Sequence, residues 1–276
     1  MPLENSPICF IGAGAMGTAM MAGLIKRNLV PPTNIIASDP SSEQLAKLQA
    51  LYPVTTTHDN AAAVQNRDIV VLSIKPQTLA KVGAELQGKI PADALVISIL
   101  AGATISGISR KLGHERVVRV MPNTPALVGK GISVWTHTKM VSELQKQQTK
   151  TILHALGEEV YVEDEDYLDM ATALSGSGPA YVFLFMESLV DAGVHMGFSR
   201  RVAEQLVYQT VDGSVEYARQ SKTHLAELRN MVTSPGGTTA AALYQFNKGG
   251  FRTVISKGIW AAYQKSRYLG SLDNNE

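Results

Sequence analysis

The chain has 276 residues, 45% hydrophobic and 18% charged, a balance that excludes a disordered chain and an integral membrane protein. Lys and Arg total 25 against 24 Asp and Glu, a formal net charge of +1. No global field therefore attracts nucleic acid or an anionic membrane, and any anion must be held by a local site. Length sets an expectation of about two domains, each able to bury a core. The single cysteine, Cys9, excludes an intrachain disulfide and a cysteine-based zinc site. His195 and His224 show no metal-ligand spacing, so no metal is expected. The stretch MPLENSPICFIGAGAMG has no basic segment and no adequate apolar run, so no secretory signal is read there and a cytoplasmic location is expected.

From Pro7 to about Val162, short β-rich runs alternate with helical patterns. Ile8 to Ile11 precedes a glycine loop, and Asn34 to Ser38 follows the first helix. Asp68 to Ile74, Ala94 to Leu100 and Arg116 to Val120 are further runs of strand length. Runs apolar on both faces suit a buried parallel sheet with helical crossovers, a doubly wound α/β domain. From about Asp164 the β pattern stops. Tyr181–Met196, Arg200–Arg219 and Arg252–Tyr268 read as helices, with shorter ones near Leu225 and Ala240. The expected division is 1–163, a Rossmann-type dinucleotide-binding domain, and 164–276, an all-α domain. Ala171, Leu174, Val182, Phe183, Phe185, Met186, Leu189 and Val190 offer more apolar surface than one helical stripe needs. A homodimer with interleaved helices is expected. The polar tail from Ser271 to Glu276 is expected to fray.

Gly12-Ala13-Gly14-Ala15-Met16-Gly17 has the spacing G-x-G-x-x-G between a strand and a helix. The first glycine permits a tight turn, the second a close approach of pyrophosphate to backbone, and the third close helix–strand packing. The helix that follows offers free N–H groups and its positive dipole end. At the end of the second strand, Asp39 holds the position of a ribose acceptor, which favours NADH. Ser38, Ser41 and Ser42 could instead serve a 2′-phosphate, which would favour NADPH, and Ser41 also suits a helix N-cap. The choice between NADPH and NADH stays open. Ser73-Ile74-Lys75-Pro76 and Ile99-Leu100-Ala101-Gly102 lie at the carboxyl ends of strands, where ligands bind in such sheets. Lys75 could meet a phosphate, a substrate carboxylate or only solvent.

Four segments carry a more specific signal: Ile74-Lys75-Pro76, Arg119 to Pro125 (RVMPNTP), Leu174 to Tyr181 (LSGSGPAY) and Val232 to Thr239 (VTSPGGTT). Together, in order and spacing, they resemble pyrroline-5-carboxylate reductase over nearly the whole chain. The resemblance implies a Rossmann domain, a helical dimerisation domain and NAD(P)H-dependent reduction of a cyclic imine, the last step of proline biosynthesis. It also implies an active site shared between two subunits, often in an oligomer of dimers. Ser234, Gly236, Gly237, Thr238 and Thr239 would hold the substrate carboxylate and ring nitrogen, with Met231 contributing through its backbone. Thr239 is the candidate catalytic residue. Glu165 is a weaker substrate candidate, since an acid there also complements a helix dipole. Cofactor contacts would run through Ile11, Gly12, Ala13, Gly14, Ala15, Met16 and Gly17, then Ser38, Asp39, Ser41 and Asn60. Ser73, Ile74, Lys75, Pro76, Leu100, Ala101, Gly102 and Asn123 complete that set.

The residues suit this chemistry on their own terms. Ser-Pro-Gly-Gly-Thr-Thr precedes the helical run Ala240 to Phe246, so its N–H groups and hydroxyls can converge on a small carboxylate. The plainer reading is an ordinary helix cap. An iminium carbon is already electrophilic and needs alignment more than acid–base machinery. A β-hydroxyacid dehydrogenase would need a lysine one turn after its glycine motif, and no Lys lies between Lys150 and Lys222. Other imine reductases, or a nucleotide sensor on the same fold, are the remaining alternatives.

Overall fold

The computed structural model describes residues 2–273. The strands are β1 (Ile8–Ile11), β2 (Ile35–Ser38), β3 (Thr55–Thr57), β4 (Ile69–Leu72), β5 (Leu95–Ser98), β6 (Val117–Met121), β7 (Gly131–His137) and β8 (Gly157–Tyr161). Between and after them run α1 (Ala15–Lys26), α2 (Ser42–Leu51), α3 (Asn60–Ala63), α4 (Leu79–Leu86), α5 (Ile105–Leu112), α6 (Glu143–His154) and α7 (Asp166–Ala171). The remaining helices are α8 (Gly178–His195), α9 (Arg200–Ser221), α10 (Leu225–Met231), α11 (Thr238–Lys248) and α12 (Phe251–Asp273). Among the described residues, no helix is long and apolar enough to cross a membrane.

The strands form one eight-stranded sheet in the order β3-β2-β1-β4-β5-β6-β7-β8. Alternation places Ile8 and Phe10 in one apolar cluster and Cys9 and Ile11 in the other, and β4 divides likewise. Both faces are thus covered, as continuous apolar strands require. Burial pushes the Cys9 thiol up to about 12, which leaves it a protonated core side chain. The order reverses between β1 and β4, so the loops after these strands meet at the crevice where doubly wound sheets bind ligands.

Three strands were not anticipated from the sequence. β3 is three threonines on the sheet edge, partly exposed, and carries no apolar run. β7 follows β6 and pairs with it antiparallel, an exception in an otherwise parallel sheet. The link from Met121 to Gly131 holds only a short 3-10 turn, Thr124–Val128, too short for a parallel crossover of a dozen residues or more. α6 supplies that crossover afterwards, and β8 returns parallel to β7.

The chain separates into two compact units, Met1–Ser177 with Ala262–Glu276, and Gly178–Ala261. In the second, α8 and α9 bury Val190, Gly193, Ala203 and Val207, packed against Met186, Leu189 and Val211. Gly193 allows that approach, because a Cβ there would lie 3.1 Å from the Ala203 Cβ. Phe183 and Leu184 stay 63% and 64% exposed, with Val182 and Phe185 also open. So small a core under so large an apolar surface marks a face that requires a partner. α12 continues to Asp273, so the expected fraying does not begin at Ser271; residues 274–276 lie outside the described residues.

One buried histidine gives the first unit an acid-sensitive point. His114 packs at 6% exposure with Nε2 2.8 Å from the Ala94 carbonyl, and desolvation by burial holds its pKa below the ordinary value. The unfolded chain therefore takes up this proton more readily than the folded one. Stability from this group is present above the unfolded pKa and is lost as pH falls through it towards the folded pKa. Urea denaturation across that range should show wild type losing stability that His114→Gln retains; parallel pH profiles would exclude His114 as a cause.

Candidate active site

The three glycines after β1 each meet a different constraint. Gly12 sits at φ +103°, and a Cβ there would lie 2.5 Å from the Ser73 carbonyl oxygen. A Cβ on Gly17 would lie 2.6 Å from both Gly12 O and Ser73 Oγ. Around Gly14, by contrast, the space is open, with nothing within 4 Å of a built Cβ. Gly14 is the N-cap of α1 and supplies no side-chain cap, so the first N–H groups of α1 face that opening without an intrahelical acceptor. Ser73, at the end of β4, donates to Gly12 O at 2.6 Å and locks the loop to the switch point.

Asp39 is tied into this loop. Its Oδ2 accepts from Ala13 N and its Oδ1 from Ser41 N, both at 2.8 Å. Ser41 is the N-cap of α2, accepting from Gln44 N at 3.3 Å. Buried Ser38 donates to Asn60 Oδ1 at 2.8 Å, and Asn60 Nδ2 donates to Glu85 Oε2 at 2.7 Å. Beside them lies His58, with Nδ1 2.8 Å from the Asp39 carbonyl and Nε2 3.4 Å from Ser42 Oγ. Neither His58 nor Glu85 was singled out in the sequence; His58 follows β3, the strand without an apolar signature.

On the other side of β1, Ile74 is half-buried and Lys75 is exposed, capping the turn Pro76–Thr78. Leu100 is buried, Ala101 half-buried, and Gly102 takes φ +79° against Leu269 of α12. Asn123 has a bridging position: its Oδ1 accepts from Ile132 N at 3.0 Å, and its Nδ2 donates to Ser175 O at 3.2 Å. Ser175 belongs to a π-helical turn, Thr172–Gly176, a distortion frequent at functional sites. Glu165 Oε1 accepts from Ile105 N at 2.7 Å and from Arg119 Nη1 at 2.8 Å. The side chain thus ties the start of α5 to a buried guanidinium, and it makes no cap bond to α7.

In the second unit, Met231 ends α10 and is 69% exposed. Gly237 N donates to Ser234 O at 3.0 Å, with Gly236 at φ +70°. Pro235 and Gly236 thus occupy the central positions of a turn in the arrangement type II favours. The turn delivers the chain to α11, whose N-cap is Gly237 with no side-chain cap. The N–H groups of Thr238, Thr239 and Ala240 therefore lack intrahelical acceptors, and the Ser234, Thr238 and Thr239 hydroxyls stand on the same turn. These six donors without a cation can converge on one small anion.

Residues 165–269 match the family model described as pyrroline-5-carboxylate reductase dimerisation, and residues 7–102 match one described as NADP oxidoreductase, coenzyme F420-dependent. The pyrroline-5-carboxylate reductase of Pseudomonas aeruginosa is 42% identical over 97% of this chain and 98% of its own length. That of Methanosarcina acetivorans is 40% identical over 97% and 99%. Among solved structures, Plasmodium falciparum pyrroline carboxylate reductase with NADP bound superposes with a TM-score of 0.89 at 34% identity, covering 97% of this chain and 99% of that one. A prephenate dehydrogenase of Aquifex aeolicus shares the fold alone, with a TM-score of 0.54 at 16% identity. With two donor-rich loops, a doubly wound sheet and relatives matched end to end, the chain belongs to the pyrroline-5-carboxylate reductase family of NAD(P)-dependent oxidoreductases.

Proposed function

We propose that the glycine loop after β1 and the Ser-Pro-Gly-Gly-Thr-Thr turn before α11 divide the work of one hydride transfer. The reaction is the reduction of 1-pyrroline-5-carboxylate to L-proline, the final step of proline biosynthesis, inferred from the full-length relatives. The observation that carries the division of labour is the pair of uncapped helix N-termini. One stands over open space at Gly14, where a Cβ would meet nothing within 4 Å, and the other is preceded by Gly236 and Gly237. The first fits a pyrophosphate and the second a carboxylate.

NADPH or NADH would be held by Gly12 to Gly17 at the pyrophosphate. Ser38, Asp39, Ser41 and Asn60 serve the adenosine side, and Ser73 to Pro76, Leu100 to Gly102 and Asn123 the remainder. When bound, the reduced nicotinamide would supply the hydride for reduction of the iminium carbon. Ser234, Gly236, Gly237, Thr238 and the Met231 backbone fix the carboxylate. The Thr239 hydroxyl bonds the ring nitrogen and holds it in the orientation its protonated form requires. Glu165 acts from a distance, through Arg119 and Ile105.

The last strand ending at Tyr161 and the dimerisation family match starting at residue 165 support the division at 163/164, whereas by packing α7 and the end of α12 group with the sheet and the compact units part at Ser177 and Ala261. The exposed apolar face of α8 supports a homodimer, with an oligomer of dimers and a cytoplasmic setting as further parts of the reading.

NADPH and NADH oxidation, followed separately with and without pyrroline-5-carboxylate, tests the reaction; no imine-dependent oxidation by folded protein would discard it. Thr239→Ala should lower kcat roughly tenfold to hundredfold, the loss of one hydrogen bond to a charged group, with dinucleotide affinity and melting temperature unchanged. Unchanged turnover would remove Thr239 from the mechanism.

A further inference from the structure

The adenosine end of the dinucleotide site combines an anion with a switchable donor. Asp39 is fixed by two backbone N–H groups at the position where a carboxylate accepts from a ribose 2′-hydroxyl and repels a 2′-phosphate. Beside this carboxylate, a compensating cation would favour that phosphate over serine donors alone. No Arg lies in the segment from Pro40 to Leu48, and Lys47 is paired with Glu43 at 2.6 Å. His58 stands directly beside Asp39. Its Nδ1 lies 2.8 Å from the Asp39 carbonyl, which only accepts, so Nδ1 carries a hydrogen. In the neutral ring, Nε2 is then the acceptor facing the Ser42 hydroxyl at 3.4 Å.

We propose that His58 is the residue that admits the 2′-phosphate, so that preference for NADPH over NADH grows as His58 takes up a proton. Protonation turns Nε2 into a donor and reverses the Ser42 contact, which frees the Ser42 hydroxyl hydrogen for the same phosphate. One freed hydroxyl donor and one positive charge arise together, next to the N-terminus of α2. The other charged groups on the surrounding elements are accounted for. Asp39 is bound to backbone, Glu43 pairs with Lys47, and Asp59 accepts from Ala61 N and Ala62 N. Glu85 accepts from Asn60. By linkage, binding the phosphate must draw a proton onto the site.

The inference rests on the dinucleotide reading above, so the test measures binding rather than turnover. Calorimetric titrations of NADP+ and NAD+, in two buffers of different ionisation enthalpy, give affinities and protons exchanged. Measured between about pH 6 and pH 8, wild type should take up protons with NADP+ and none with NAD+. His58→Asn should abolish that uptake and lower the NADP+:NAD+ affinity ratio on the order of tenfold, with NAD+ affinity unchanged. His58→Lys should keep the ratio while losing the uptake. A wild-type ratio and wild-type uptake in His58→Asn would overturn the role of His58. Failure of wild type to bind either dinucleotide would instead overturn the cofactor reading, and this inference with it.

Discussion

Gly14→Val is expected to weaken dinucleotide binding by at least roughly a hundredfold while the protein stays folded, losing at most about 1 kcal/mol with its glycine N-cap. Gly14 has φ −66° and ψ −176°, in the extended region open to any residue, and a Cβ there meets nothing within 4 Å. The Cβ therefore adds no clash to the fold. It places a branched side chain in the opening that the N–H groups of α1 face, where the pyrophosphate must come within hydrogen-bonding distance of backbone. Losing several charge-assisted hydrogen bonds, each worth about 1.5–3 kcal/mol, accounts for the hundredfold. The neighbouring glycines give the contrast. Gly12→Ala combines a positive φ with a 2.5 Å contact to backbone, and Gly17→Ala meets Gly12 O at 2.6 Å, so both should lower the melting temperature as well. Nucleotide titration together with thermal denaturation separates the cases. Tight binding by Gly14→Val would mean that the phosphates do not cross this glycine.

How far such a result could be anticipated depends on how local the signal is. The glycine loop was legible because strand, turn and helix lie within 20 residues and each glycine has its own local reason. The Ser-Pro-Gly-Gly-Thr-Thr turn was legible for the same cause: Pro235 and Gly236 encode the turn, and the helix behind it follows directly. The crowded apolar positions of α8 announced a face without a partner, and Phe183 and Leu184 are indeed exposed. What could not be read was set by distant pairing. β3 becomes a strand only because β2 offers it an edge, since three threonines bury little. β7 is antiparallel because its connection is short, not because of any feature in its own residues. Asp39 was recognised as the acid at the end of β2, but its commitment to Ala13 N lies 26 positions away. His58 was invisible because its partners, Asp39 and Ser42, are reached only through the sheet.

The same limitation hid Arg119, for which Arg119→Met should cost roughly 3 kcal/mol of unfolding free energy. In the sequence it read as one residue of an apolar strand run and the first of the RVMPNTP segment, yet its side chain is 3% exposed and bridges two carboxylates. Nη1 donates to Glu165 Oε1 at 2.8 Å, and Nη2 donates to Asp169 Oδ1 at 3.3 Å. The same carboxylates accept from Ile105 N and from Ser266 Oγ. One guanidinium thus joins β6, the start of α5, α7 and the C-terminal part of α12. Removing one partner of a buried pair typically costs about 3–5 kcal/mol, because the remaining charge keeps its desolvation without compensation. Glu165 retains 31% side-chain exposure, which places the expected cost at the lower end. Arg119→Lys should recover only part, since a single ammonium cannot reproduce the fork that spans both acids. The decisive control is the triple variant Arg119→Met, Glu165→Gln, Asp169→Asn, which removes the charges together and should regain much of the loss. Urea denaturation at one fixed protein concentration measures all three, because any association through the exposed face of α8 would make midpoints concentration-dependent. Ile105 opens the helix that follows Leu100 to Gly102, so dinucleotide affinity should also fall, by less than for Gly14→Val, even where the variant remains folded. Equal stability of Arg119→Met and wild type would show that the two acids find other donors and that Arg119 does not hold this corner of the sheet together.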